Sequence, residues 1–170
     1  MKTYAGIGSR DLVWEGVDQA PIIVEKMTPY MEVLREFMLY SGGASGADVL
    51  FEMLHYPGEV KIFLPYKGFN KSKSKYYNIT QEAKDLAKHY HPAPQYLNDN
   101  NINFLARDCY QVLGYDLKSP IDFIICWTPN ELQGGTSQAL RIAKDYDIPY
   151  FNLFHDDAHI KLGKYLENVL

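Results

Sequence analysis

Short apolar runs alternate along this chain with longer segments of helical period, and glycine-rich turns join them. Runs at Thr3 to Ile7, Met38 to Ser41, Val60 to Leu64, Phe123 to Trp127 and Tyr150 to Leu153 have the length and content of buried strands. Ile23, Met27, Tyr30 or Met31, Leu34 and Phe37 recur at spacings of three and four, which puts them on one face of a helix. Pro29 interrupts that face, so either the helix kinks there or Thr28 caps a helix that begins at Pro29. The most regular helix runs from about Asn98 to Gly114, with Ile102, Leu105, Ala106, Cys109, Val112 and Leu113 as its stripe and Arg107 almost opposite. Another follows Gly135, with Thr136 or Ser137 as its cap and Ala139, Leu140 and Ala143 facing inward. Pro65 to Asn78 has no apolar period and reads as a long surface loop, a candidate lid. Strands alternating with helices predict an α/β fold with a mostly parallel sheet of five or more strands.

A chain of 170 residues, 46% hydrophobic and 22% charged, has the mixture of one compact domain spanning residues 1–170. Its net charge of -4 argues against a protein whose main task is gripping a nucleic-acid backbone. The 14 Tyr, 8 Phe and 2 Trp exceed what such a core requires, which assigns some of them to a binding or subunit surface and predicts a homo-oligomer. Cys109 and Cys126 lie in apolar stretches without CxxC spacing, the pattern of buried thiols in a reducing cytoplasm. No run is apolar and long enough to span a membrane, and the start of the chain turns polar and glycine-rich too soon for a signal peptide. The expectation is a soluble cytoplasmic protein with no membrane partner.

In a parallel sheet the loops leaving the carboxyl ends of the strands gather at one edge, where ligands bind. Three such loops here are rich in glycine and hydroxyl residues: Gly6-Ile7-Gly8-Ser9-Arg10, Ser41-Gly42-Gly43-Ala44-Ser45-Gly46-Ala47-Asp48, and Gln133-Gly134-Gly135-Thr136-Ser137-Gln138. Glycine lets the backbone approach a ligand closely, and the free N–H groups of a helix start favour phosphate. The first loop departs from GxGxxG, since Asp11 stands where the last glycine belongs, and no P-loop lysine is present.

The order of these motifs resembles the Rossmann-like superfamily that includes the DNA-processing protein DprA and the LOG phosphoribohydrolases. The likeness runs from Tyr4-Ala5-Gly6-Ile7-Gly8-Ser9-Arg10, through the Ser41 to Asp48 block, to Phe104-Leu105-Ala106-Arg107-Asp108 and Asp122-Phe123-Ile124-Ile125-Cys126-Trp127 with Gly134-Gly135-Thr136. It implies a Rossmann-like three-layer sandwich with a nucleotide or phosphate pocket at the sheet edge and Arg107 as a cation. LOG-like enzymes carry a catalytic glutamate three residues after the Gly-Thr pair, where this chain has Ala139. Asp48 and Glu52, four apart on one helical face, are the candidates to replace it, with Asp11 and Glu131 behind them. Asp48 also reads as a capping carboxylate answering Ser45.

Together these features predict binding of a nucleotide-type small molecule. Gly6, Gly8, Ser9, Gly42, Gly43, Ala44, Gly46, Gly134, Gly135 and Thr136 form the cradle, Arg10 and Arg107 are counter-charges, and Trp127 or the Tyr66 to Phe69 loop stacks on the base. The alternative is cleavage of a nucleotide N-glycosidic bond by Asp48 or Glu52 with Arg107. A DprA-like single-stranded DNA binder, using Lys67, Lys71, Lys73 and Lys75, stands third and is disfavoured by the net charge. His155 and His159 have metal-ligand spacing but no third ligand nearby, so neither a metal nor a cofactor is expected.

Overall fold

The computed structural model describes residues 1–170. Five strands, β1 (Thr3–Gly8), β4 (Met38–Ser41), β5 (Val60–Ile62), β6 (Phe123–Trp127) and β7 (Tyr150–Asn152), form one sheet in the order β5-β4-β1-β6-β7, with every neighbouring pair parallel. The remaining strands, β2 (Val13–Trp14) and β3 (Val17–Asp18), make a small hairpin after β1. Its turn places Glu15 and Gly16 at φ of 49° and 75°, the left-handed pair that such tight turns require.

Side-chain alternation along the strands divides the core in two. Ala5, Ile124 and Cys126 point toward α4 (Gln81–Tyr90), α5 (Asp99–Leu113) and α6 (Gly135–Asp145). Tyr4, Phe123, Ile125 and Trp127 point to the opposite face, which is covered by α1 (Ala20–Met27), α2 (Met31–Leu34), α3 (Ala47–His55) and α7 (Ala158–Val169). The result is a Rossmann-like three-layer α/β sandwich. From β1 the chain builds outward through β4 to β5, and from β6 it builds the other way to β7, so the crevice of the fold opens between the carboxyl ends of β1 and β6.

The predicted strands match within two residues, β5 ending early at Ile62 because the chain then turns into the long loop. Pro29 kinks the first helical segment: a 3-10 turn at Thr28–Tyr30 separates α1 from α2, and Thr28 Oγ1 donates to the Val24 carbonyl at 2.6 Å instead of capping a new helix. The ends of α5 are as expected, with Asn98 Oδ1 accepting from Asn101 N at 2.8 Å and Gly114 at φ 79°. Its second half, Leu105 to Leu113, is buried on every side, because α4 and α6 both pack on it. At α6 the cap is Gly134, at φ 88°, and neither Thr136 nor Ser137 caps. Ser137 Oγ instead donates to the Gly134 carbonyl at 2.5 Å, so no side chain covers the amino end of that helix.

Much of the aromatic surplus is consumed inside. Phe123 lies among the rings of Tyr4, Phe37, Phe151 and Tyr165, and Phe63 lies among those of Tyr40, Tyr76, Tyr110 and Tyr115. Both cysteines are buried free thiols, and burial pushes Cys109 up to about 12. No helix is long and apolar enough to cross a membrane.

Candidate functional site

A cavity of about 820 Å³ opens at the carboxyl edge, in the crevice between β1 and β6. Its walls are Ile7 to Arg10 at the end of β1 and just past it, Ala44 and Asp48 before and within α3, one side of α5 from Asn100 to Gln111, and Thr128 with Leu132 to Ser137 leading into α6. Three of the predicted loops therefore meet here, but their glycines divide by task.

Gly8, Gly134 and Gly135 are on the wall with Ser9, Arg10, Ala44 and Thr136. Gly6, Gly42, Gly43 and Gly46 are not; they serve the framework that shapes it. A Cβ on Gly6 would lie 2.9 Å from Cβ of Phe51, and one on Gly46 would lie 2.5 Å from the Ser9 carbonyl and 2.4 Å from that of Arg10. Ala47 N donates to that Ser9 carbonyl at 3.0 Å, and Ser9 N donates to the Trp127 carbonyl at 3.0 Å, so the loops after β1, β4 and β6 are stitched by backbone bonds. The Gly42 carbonyl accepts from Arg107 Nη1, and the Gly43 carbonyl accepts from Asn70 Nδ2 at 2.9 Å.

Trp127 is a correction. Its ring is 1% exposed and packs near Phe154 on the α1/α3/α7 side of the sheet. Trp127 is absent from the cavity wall, so this indole supports the core and not a ligand. The aromatic wall is Phe104, which lines the cavity, with Phe69 5.3 Å and Tyr66 6.3 Å from it in edge-to-face contact. The Arg10 guanidinium stands 4.9 Å from the Phe104 ring centre and 5.8 Å from that of Phe69. The loop from Pro65 to Asn78 thus brings Tyr66 and Phe69 to the rim, anchored by Asn70 and by Ser74 Oγ donating to the Ile62 carbonyl at 2.5 Å.

Beside this wall lies a buried charge cluster. Arg107 is 5% exposed, and its Nε donates to Asp108 Oδ1 at 3.0 Å. The Gln111 carboxamide, oriented by its neighbours, donates to Asp108 Oδ1 at 3.2 Å and accepts from Gly42 N at 3.0 Å. Asp48 does not answer Ser45: its Oδ2 accepts from Ala44 N at 3.3 Å, and its Oδ1 has no partner. Burial pushes Asp48 up to about 7 and Asp108 to about 6, opposed in both by the positive charge of Arg107. Two carboxyls raised by burial therefore flank one arginine, and of the two Asp48 titrates closer to neutral pH.

The other proposed carboxylates lie elsewhere. Ser41 Oγ donates to Glu52 Oε1 at 2.5 Å, which keeps Glu52 off the cavity wall. Asp11 Oδ1 accepts from Val13 N at 2.9 Å in the hairpin turn. Glu131 accepts from Tyr150, Asn152 and His155 Nε2, the last at 2.9 Å, so His155 is engaged with a carboxylate.

Sequence reasoning passed over Asp108, Gln111, Phe104, His91 and Arg141, all on the wall. Arg141 is held by the Tyr90 carbonyl at 2.8 Å, Ser137 Oγ at 3.1 Å and Gln138 Oε1 at 2.7 Å. Its spacing of four from Ser137 was a usable signal, since it aligns the two on one face of α6. Asp108 stood in the same motif as Arg107, but only the buried geometry distinguishes it from Glu52. Comparison with protein-family models, curated proteins and solved structures gives no match.

Proposed function

We propose that the cavity binds a nucleotide or a nucleotide-derived phosphorylated small molecule. What carries this is the uncapped amino end of α6, Gly135-Thr136-Ser137, sharing one cavity with Arg10 and Arg107. Free helical N–H groups and forked guanidinium donors are the two protein features best matched to phosphate oxygens. Phe104, backed by Phe69 and Tyr66, supplies a face for a base. The resemblance to the DprA and LOG superfamily supports the same assignment. A net charge of -4 suits one phosphorylated molecule better than a long polyanion. Native mass spectrometry and a thermal-shift panel of mono-, di- and cyclic nucleotides test it. A true ligand at a hundred times its Kd stabilises the fold by about 2.7 kcal/mol, whereas no shift with any member and no copurifying nucleotide would overturn the assignment.

A second activity, hydrolysis of a nucleotide N-glycosidic bond, is favoured by the Asp48 and Asp108 carboxyls beside Arg107. Asp48, raised to about 7, can give its proton to a departing base while water adds to the sugar carbon and the water's proton passes to the ionised Asp108. Release of free base from nucleoside monophosphates, abolished in Asp48→Asn or Asp108→Asn, is the expected result. Intact substrate across a broad set would leave a binding protein.

A further inference from the structure

Where α4, α5 and α6 meet, the cavity wall holds a positive charge that no acid of the protein answers. Arg141 reaches the wall from α6 because a helical side chain leans back toward the amino end, over Ser137 and Gln138. Three neutral acceptors fix its guanidinium: the Tyr90 carbonyl at 2.8 Å from Nε, Ser137 Oγ at 3.1 Å from Nη1 and Gln138 Oε1 at 2.7 Å from Nη2. Gln138 is fully buried and serves this arrangement with both ends, its Nε2 donating to the Ala87 carbonyl at 2.8 Å. The ion pairs of the protein are Arg107 with Asp108, His155 with Glu131 and Lys161 with Asp157, so Arg141 has no acidic partner. Burial alone pulls its pKa below the usual arginine value, and a partly buried charge without a counter-charge is costly. Two of the five guanidinium N–H groups remain without a protein acceptor.

His91, the residue after Tyr90, stands on the same wall. Its Nδ1 accepts from Ala93 N at 3.0 Å, which fixes the neutral ring as the tautomer with hydrogen on Nε2, and that Nε2 makes no hydrogen bond within the protein. A held guanidinium with spare donors beside a held imidazole N–H is chemistry that suits the oxygens of an anion. The corner lies apart from the Arg107 cluster. Because α4 runs antiparallel to α5, with Cys109 Sγ at 3.9 Å from the Ala83 carbonyl, its last residue Tyr90 lies beside the first turns of α5. Asn100 lines the wall there, and seven residues, about 10 Å of helix, separate it from Arg107. At the far end Arg10 and Arg107 already face Asp48 and Asp108.

We propose that Arg141 and His91 form a second anion subsite, so that the cavity takes a nucleotide with phosphate groups at two separated positions in preference to a 5′-monophosphate. This rests on the nucleotide assignment above and narrows it. The first phosphate keeps the place given to it there, and the second goes to Arg141.

The test is calorimetric titration of the four ribonucleoside 5′-monophosphates and their 3′,5′-bisphosphates into the wild-type protein and into Arg141→Gln. Hydrogen bonds to a charged group are worth about 10- to 100-fold in affinity, so the bisphosphate of whichever nucleoside binds should exceed its monophosphate by that factor. In Arg141→Gln the advantage should vanish while the monophosphate stays within about twofold of wild type. Equal wild-type affinity for both forms overturns the second subsite and leaves nucleotide binding standing. An advantage that survives Arg141→Gln also overturns it, as does a monophosphate that weakens equally, since Arg141 would then belong to the first site. Failure of all eight ligands overturns the nucleotide assignment, and inorganic phosphate then decides the subsite by itself. A saturable shift of the His91 ring resonance, absent in Arg141→Gln, supports it, and an unmoved ring overturns it. Should Arg141→Gln not fold, Arg141→Lys keeps the charge and loses the fork. It should reduce the bisphosphate advantage, and an unchanged advantage overturns the proposal.

Discussion

Gly42 lacks a side chain because Arg107 needs the space: a Cβ there would lie 2.8 Å from Arg107 Nη1 and 2.7 Å from Asp48 Oδ2. The carbonyl of the same residue accepts from that Nη1, and its N–H donates to Gln111. One glycine thereby holds the arginine in place with its backbone and yields to it with its missing side chain. Gly42→Ala should destabilise the fold by about 1–3 kcal/mol, the usual penalty for overpacking, and displace the guanidinium. In an Arg107→Ala background the same substitution should cost less, measured by urea unfolding as a double-mutant cycle; strictly additive effects would separate the two residues.

The buried carboxyls make stability depend on pH. Asp48 rises from 3.8 to about 7 and Asp108 from 3.8 to about 6, so both bind a proton more tightly folded than unfolded. Their protonation favours the native state, fully below about pH 4 and progressively less as pH climbs to about 7. Asp48→Asn removes the larger part, on the order of a few kcal/mol between those limits. Melting temperature followed from pH 4 to 8 should fall less in the variant than in the wild type. Parallel curves would show that Asp48 is ionised throughout.

Trp127 separates core from cavity. Trp127→Phe leaves a void behind Phe154 and should cost about 1–3 kcal/mol in denaturant unfolding. Nucleotide affinity, measured well below the melting point, should stay within about twofold, because the indole is buried in the core and does not line the cavity. A tenfold loss of affinity with unchanged stability would return the ring to the site.

Asn70 ties the aromatic loop to the Gly43 carbonyl through a 2.9 Å hydrogen bond. Asn70 also adopts φ 50°, a region that asparagine tolerates better than alanine. Asn70→Ala should raise amide exchange across residues 65–78 and cost about 1–2 kcal/mol, with the sheet unaffected. Unaltered exchange in that loop would mean that Ser74 and Tyr76 anchor it without Asn70.

The sequence by itself determined the strands, the α5 helix with its Asn98 and Gly114 ends, and the gathering of three glycine loops at one edge. Those features are local: periods of two and 3.6, caps and left-handed glycines are written in neighbouring residues. Which face each strand residue took was decided by long-range packing. Trp127 and Cys126 are adjacent and both apolar, yet they fell on opposite sides of the sheet, and the packing of α3, α5 and α6 around its carboxyl edge left both off the cavity wall. The same holds for the acids. Asp48, Glu52 and Asp108 all sit on helices, and tertiary contacts gave Glu52 to Ser41 while leaving Asp48 and Asp108 beside Arg107. Even the glycine motif changed meaning, since Gly42 and Gly46 are glycines to admit Arg107 and the Ser9-Arg10 backbone, partners far away in the chain.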